Sequence, residues 1–209
     1  MTTALLQTTY FGPIQWYQKL YRYDHCMIEQ YDSFQKQTYR NRCVIATANG
    51  VQALTVPVEH TNLSPLTSHL SPLVKDLRIS DHNQWRRVHW NALQSAYSES
   101  PFFEYYADDL HPFFEQKYDY LLDFNEAIRQ KVCELLDIHP DVSYTSDFRH
   151  QTSDITDYRD VINAKHPLPD ADFTPKAYWQ VFQHKYGFLP NLSILDLLFN
   201  MGPESIFYL

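Results

Sequence analysis

The sequence predicts an α/β fold, a central mixed sheet flanked by helices. Three observations carry that reading. A β-prone run at the N-terminus passes through Gly12-Pro13 straight into an amphipathic helical pattern, a Rossmann-like strand–turn–helix. Asn49-Gly50 joins two β-prone runs between residues 39 and 58, and Asn-Gly in that setting is the strongest short-range hairpin signal. Two later segments, 85–97 and 118–136, repeat apolar residues at helical spacing. A chain of 209 residues is long enough to bury a sizeable core, and residues 1–209 are read as one domain.

Residues 4–10 form the expected first strand. Pro13 suits the first position of the helix that follows, whose apolar side is Ile14, Trp16, Tyr17, Leu20 and Tyr21. Residues 26–31 read as a second strand. In the hairpin, Pro57 puts the end of the later strand at an edge, because proline cannot donate to a ladder. Residues 61–72 read as a loop, 75–80 as a short strand, and Asp81 as the cap of the next helix. That helix carries Trp85, Val88, His89, Ala92, Leu93, Ala96 and Tyr97 on one stripe, and Ser100-Pro101 ends it. Residues 102–114 form an aromatic segment. In 118–136, Leu121, Leu122, Asn125, Ile128, Val132, Leu135 and Leu136 share a face. Residues 141–146 read as a strand and 149–174 as a long exposed loop. Pro175 opens a helix through about Tyr186, and 192–200 form the last helix, stopped by Gly202-Pro203.

Composition excludes several function classes. With 25 acidic against 17 basic residues the net charge is −8, which disfavours general nucleic-acid binding. Three widely spaced cysteines without CxxC give neither a disulfide framework nor a structural zinc site. No run reaches the roughly 20 apolar residues of a membrane span. Residues 1–11 lack a signal-peptide pattern, so the expected compartment is the cytoplasm. GxGxxG, P-loop, HExxH and GxSxG motifs are absent, so the cofactor is left unknown, and no histidine spacing marks a metal site.

Four features could carry chemistry. The helix start at Gly12 could present free backbone amides to an anion; otherwise Gly12-Pro13 is a turn. The run 34–42 mixes amides, cations and aromatics without an aliphatic residue. As a hairpin strand it would put Lys36, Thr38, Arg40 and Arg42 on one side and Tyr39 and Asn41 on the other; otherwise it is a solvated edge. His89 interrupts an apolar stripe, as a general base, a substrate ligand or a hydrogen-bonded core residue. Ser193, Asp196 and Asn200 make a polar stripe on the last helix. Either Asp196 orients a basic partner such as His89 or Arg42, or the stripe is a wet outer face. His25 and Cys26 are adjacent in a strand and point to opposite faces, so they do not make a Cys–His pair.

Several stretches together resemble the WbqC-like protein family of bacteria, in the form common in Bacteroidetes. They are Tyr-Phe-Gly-Pro-Ile-Gln-Trp-Tyr at 10–17, Gln-Lys-Gln-Thr-Tyr-Arg-Asn-Arg at 35–42, Asn-Gly at 49–50 and Leu-Thr-Val-Pro-Val at 54–58. Trp-Arg-Arg-Val-His-Trp at 85–90, Ser-Pro-Phe-Phe-Glu-Tyr-Tyr at 100–106 and the stretch 187–200 complete the set, in order and nearly end to end. The resemblance implies a role linked to surface-polysaccharide or O-antigen loci, on a phosphorylated or nucleotide-linked amino sugar, through acyl or aminoacyl transfer. Family members carry an Asp-Asp-Val-Gln-Phe stretch before the lysine. Here Gln30, Tyr31, Asp32, Ser33 and Phe34 stand in its place, so the acidic pair is lost, while Lys36, Asn41 and Arg42 match. The opening also resembles nucleotidylyltransferase-like domains, but Gln15 and Tyr17 stand where those place histidines.

The combined expectation is a transferase of glycan biosynthesis. Gly12, Lys36 and Arg42 would hold phosphate. Gln7, Gln15 and Asn41 would read polar groups, with Tyr10, Ser193 and Asn200 beside them. His89, oriented by Asp196, would act as base. The expected partner is a phosphorylated sugar or nucleotide-sugar, with no nucleic acid and no membrane span. The alternative is a non-catalytic scaffold that recruits protein partners in glycan biosynthesis through Trp16, Phe102, Phe103, Tyr105 and Tyr106, since aromatics are enriched at interfaces.

Overall fold

In the computed structural model, residues 2–59, 72–146 and 155–209 are described. Strand β1 (Thr3–Gln7) enters helix α1 (Ile14–Arg22), which returns the chain to β2 (His25–Glu29). β1 and β2 pair in parallel from Thr3↔His25 to Gln7↔Glu29, as a helical crossover requires. β3 (Arg42–Thr47) and β4 (Gly50–Thr55) form the hairpin. Helices α2 (Trp85–Tyr97), α3 (Phe103–Leu110) and α4 (Leu121–Leu135) follow. Two three-residue strands, β5 (Val142–Tyr144) and β6 (Ile155–Asp157), precede the one-turn α5 (Gln183–Tyr186) and the final α6 (Ile194–Met201).

The architecture is mixed α/β, as expected, but split into two sheets. The central sheet is wholly parallel, with strand order β5-β2-β1-β6. The hairpin makes an antiparallel sheet of its own. Ala4, Leu5 and Leu6 in β1 are all buried, the pattern of a parallel strand covered on both faces. α6 is the apolar centre, with Ile194, Leu195, Leu197, Leu198 and Phe199 all out of contact with solvent, packed against α1, α3 and β3.

The turn after β1 ties the two sheets together. Tyr10 donates its backbone N–H to Tyr39 O at 2.9 Å, Ile194 N donates to Gly12 O at 2.9 Å, and Ser193 N donates to Val44 O at 2.8 Å. Gly12 is required by space: a Cβ there would lie 2.4 Å from Thr9 Oγ1 and 2.9 Å from Thr9 Cβ. Around this turn Tyr10, Phe11, Phe113, Phe114 and Phe124 pack ring against ring.

Some local expectations are corrected. Residues 36–40 form turns rather than a strand, with Gln37 at φ 64° and Thr38 Oγ1 bonded to Gln35 O at 2.9 Å, so the alternating-face arrangement of Lys36 to Arg42 does not form. Residues 74–76 are a 3-10 turn, not a strand. Asp81 makes no side-chain cap; its carboxylate pairs with Arg86 and with Lys117. The predicted 175–186 helix shrinks to Gln183–Tyr186, and the irregular segment before it turns Tyr178 and Gln180 inward on either side of exposed Trp179. The expected loop 149–174 contains β6, the fourth strand of the central sheet, and buries Tyr158 and Ile162. The loop expected at 61–72 falls, save for Pro72, outside the described residues, as do residues 147–154. Among the described residues no helix is long and apolar enough to cross a membrane.

Candidate functional site

In an open parallel sheet, loops leave the carboxyl ends of the strands, and a crevice opens where neighbouring strands send their connections in opposite directions. β1 is an inner strand whose own crossover leads to β2 on one side, while β6, the last strand of the sheet, pairs on the other. The carboxyl ends there are Gln7, Glu29 and Asp157. They are polar, and a charged cluster forms just beyond them.

Arg159 is its hub. Its guanidinium meets Asp157 at 2.7 Å, Asp32 at 2.9 Å and Glu29 at 3.7 Å. Arg40 reaches the other oxygen of Asp32 at 2.9 Å. Glu29 is buried and accepts from the Tyr31 backbone N–H at 2.6 Å and from Thr145 Oγ1 at 3.1 Å. Three carboxylates therefore face two guanidinium groups. Hydrogen bonds to Asp157 are the main cause raising the Arg159 pKa, against a partial burial penalty. Burial pushes Asp157 up, but its bonds to Arg159 win and hold it below the usual carboxylate value. Burial lowers Arg40, and Asp32 offsets part of that. The rim is partly open, with side-chain exposures of 25% for Arg159 and 47% for Asp157, above a floor of Glu29 at 1%. The first residues beyond β1, Thr8 and Thr9, are buried, and Thr9 Oγ1 and Gln7 Oε1 have no hydrogen-bond partner among the described residues. Such a set can accept hydrogen bonds from hydroxyl or ammonium groups and donate to a carbonyl or phosphate oxygen.

The residues singled out in the sequence lie elsewhere or are already engaged. Gln7 is closest to the cluster, with its amide donating to Ile162 O. The amides at the start of α1 are taken, Ile14 N by Leu192 O at 3.0 Å and Gln15 N by Asn191 Oδ1 at 2.9 Å, so the expected anion cradle at Gly12 is closed by protein acceptors. The Gln15 side chain bonds Asp170 and Asn191. Lys36 is exposed on its turn, Arg42 bonds Thr55 Oγ1 at 3.1 Å, and Asn41 clamps Val56 O at 2.8 Å.

His89 and Tyr10 do meet, Tyr10 Oη at 2.9 Å from His89 Nδ1, inside a cage that includes Trp85. Burial lowers the His89 pKa to about 4, so the ring is neutral at pH 7, with a bond to the Thr55 backbone as the lesser, opposing influence. His89 is not joined to Asp196. The Asp196 carboxylate, raised by burial, accepts from Tyr178 Oη at 2.6 Å, Tyr97 Oη at 2.8 Å and Gln180 Nε2 at 3.0 Å. Asn200 Nδ2 donates to the Asp196 backbone carbonyl at 2.7 Å, and Ser193 donates to Phe11 O at 2.7 Å. The stripe of Ser193, Asp196 and Asn200 therefore faces the interior, not solvent.

Of the aromatics proposed for a scaffold surface, Trp16, Phe103 and Tyr106 are buried, Phe102 is half-buried, and Tyr105 is exposed. Cys26, Cys43 and Cys133 are free and buried, and burial pushes the Cys26 thiol up to about 12. The cluster residues Glu29, Asp32, Arg40, Thr145 and Arg159 were not singled out from the sequence as site residues, apart from Arg40 as part of the 34–42 run. The available signal was an acid, Glu29, closing an apolar strand.

A sequence model described as the WbqC-like protein family matches residues 7–208. An uncharacterized protein of Mycobacterium tuberculosis, Rv1507c, is 26% identical over 229 residues, covering 99% of this chain and 96% of its own length. No solved structure matches.

Proposed function

The chain belongs to the WbqC-like protein family, and from that premise we propose that it is an enzyme of surface-polysaccharide biosynthesis, transferring an acyl or aminoacyl group to a phosphate-bearing or nucleotide-linked amino sugar. The observation that carries this reading is the charged cluster at the carboxyl edge of the parallel sheet, beside β1 and β6. Five acidic and basic side chains, drawn from the ends of β2 and β6 and from the segments beyond β2, before β3 and after β6, stand at the carboxyl ends of the strands, where this architecture takes its ligands. Holding that many charges partly away from water is costly unless they pair, and their arrangement leaves the Arg159–Asp157 rim accessible. In this reading Asp32 and Asp157 accept from the sugar's hydroxyl and ammonium groups. Arg159 donates to the acyl carbonyl or the phosphate. Glu29, Thr145 and Arg40 position Arg159 and Asp32. The scaffold alternative is weakened by the burial of most of its aromatic surface.

The test is to incubate the purified protein with nucleotide-linked amino sugars and acyl or aminoacyl donors, reading product mass. Wild type should yield product. Arg159→Lys and Asp32→Asn, checked for an unchanged fold by circular dichroism, should lose roughly a hundredfold or more of the rate, the scale of removing one preorganised donor. Absence of product across the donor panel, or undiminished turnover in both variants, would overturn the proposal.

A further inference from the structure

A second constellation stands at the opposite edge of the central sheet, where β2 and β5 begin. The two strands pair in parallel, Cys26↔Val142 and Met27↔Ser143. The Cys26 N–H donates to Asp141 O at 2.9 Å, which carries the same register back to Asp141. Side chains alternate along each strand, so His25, Asp141 and Ser143 share one face. They form a continuous chain: Asp141 Oδ2 lies 2.8 Å from His25 Nδ1, and His25 Nε2 lies 2.9 Å from Ser143 Oγ.

The direction of these bonds follows from the groups that make them. A carboxylate can only accept, so the proton of a neutral His25 ring sits on Nδ1. Nε2 then carries the lone pair, and the Ser143 hydroxyl donates to it. That polarity readies a hydroxyl as a nucleophile: a base lies within reach, and a third group orients the base. β5 is an edge strand. With Asp141, Ser143 and Thr145 bonded toward β2, the backbone N–H groups of Val142 and Tyr144 point outward, and among the described residues neither has an acceptor. The Tyr144 N–H, next in the chain after Ser143, is the donor available to a developing oxyanion. Beside Asp141 opens a cavity of about 340 Å³, of small-molecule size, whose wall also carries Tyr23, Asp24, Asp137 and His139. Its three carboxylates, Asp24, Asp137 and Asp141, repel an anionic substrate.

We propose that Ser143, His25 and Asp141 form an esterase-type site for a small neutral or cationic ester, with Ser143 as nucleophile, His25 as general base and Asp141 as positioning residue. Ser143 Oγ attacks the ester carbonyl carbon; the Oγ–C bond forms and the hydroxyl proton passes to His25 Nε2. The bond from that carbon to the alcohol oxygen breaks, and the alcohol leaves with the proton from His25. Water then gives one proton to His25 and its hydroxide to the acyl carbon. The Oγ–C bond breaks, the free acid departs, and Ser143 takes the proton back. The site shares no residue with the carboxyl-edge cluster and does not depend on the reaction proposed there.

The experiment is labelling of the full chain with a fluorophosphonate, whose phosphorus takes the serine oxygen as fluoride leaves, with the labelled residue mapped by peptide mass spectrometry. Hydrolysis of p-nitrophenyl acetate, a small neutral ester, is read in parallel. Wild type should be labelled at Ser143 and should turn the ester over. Ser143→Ala and His25→Gln should each lower both rates about a hundredfold or more, the scale of losing a positioned base or its nucleophile. Asp141→Asn should lower them roughly tenfold, because its side chain is 65% exposed and water takes over part of its role. Circular dichroism checks the fold of each variant, and Ser143→Ala, which removes a single oxygen from an edge strand, decides the matter should His25→Gln not fold. No label on wild type, a label mapped to another residue, or undiminished rates in any folded variant would overturn the assignment.

Discussion

His89 offers a prediction whose size follows from its surroundings. In the unfolded chain its pKa is close to 6.5; in the fold, burial lowers it to about 4. A depressed histidine means that the unfolded state takes up the proton first. Its contribution is therefore fully present above about pH 6.5, is lost progressively as pH falls, and levels off below about pH 4. The whole difference is about 3 kcal/mol, of which about 2 kcal/mol has gone by pH 5. Acidic groups titrate in the same window, so the wild-type curve alone is not diagnostic. The perturbation is His89→Asn, which keeps a polar group near Tyr10 Oη but does not titrate. Urea unfolding of both proteins at pH 7 and pH 5 gives a double difference. At pH 7 the variant should be destabilised by about 1–3 kcal/mol, because the Thr55 carbonyl or the Tyr10 hydroxyl loses a partner in a dry site. Between pH 7 and pH 5 it should lose about 2 kcal/mol less than wild type. Equal losses in the two proteins, within about 0.5 kcal/mol, would refute a neutral, buried His89.

Three further outcomes follow from the packing. Gly12→Ala should cost about 1–3 kcal/mol in denaturant titration, because its Cβ would sit 2.4 Å from Thr9 Oγ1 in a filled turn. Gly50→Ala should cost about 1–2 kcal/mol by the same assay, from the backbone alone: φ is 103° and nothing lies within 4 Å of the added methyl. Lys19→Met should cost about 3–5 kcal/mol by stranding the Asp170 carboxylate, and Lys19→Met with Asp170→Leu should recover much of it, since a buried pair replaced by apolar groups is often neutral. A single-variant melting curve matching wild type would show that the Lys19–Asp170 pair does not form in solution.

Legibility in the sequence followed the length of the signal. The hairpin was readable because Asn49-Gly50 joins two runs of six residues each, observed as Arg42–Thr47 and Gly50–Thr55. α2 and α4 were readable because their apolar stripes run for 13 and 15 residues. β6 was not, because Ile155–Asp157 is three residues in a polar stretch and gains its identity from pairing with β1. The region 175–182 departs from the expected helix because Pro175 and the following aromatics suit a helix, whereas Tyr178 and Gln180 are drawn to Asp196 and Leu189. Tertiary bonds outweighed local preference there.

The candidate site was illegible for a related reason. Its charged groups come from the end of β2 and the segment after it, the turn before β3, and the end and aftermath of β6. None of these stretches has periodicity, and each alone reads as a solvated charge. Glu29 and Asp32 flank Gln30 and Tyr31, and both approach Arg159. An arrangement of this kind is set by which strand ends lie side by side. The parallel order β5-β2-β1-β6 brings Glu29, Gln7 and Asp157 to adjacent strand ends, and Arg159 follows two residues after β6 closes. A change that displaced β6 from β1 would remove Arg159 and Asp157 from the cluster together and leave Glu29 buried without its cation, which links the stability of the fourth strand to the integrity of the site.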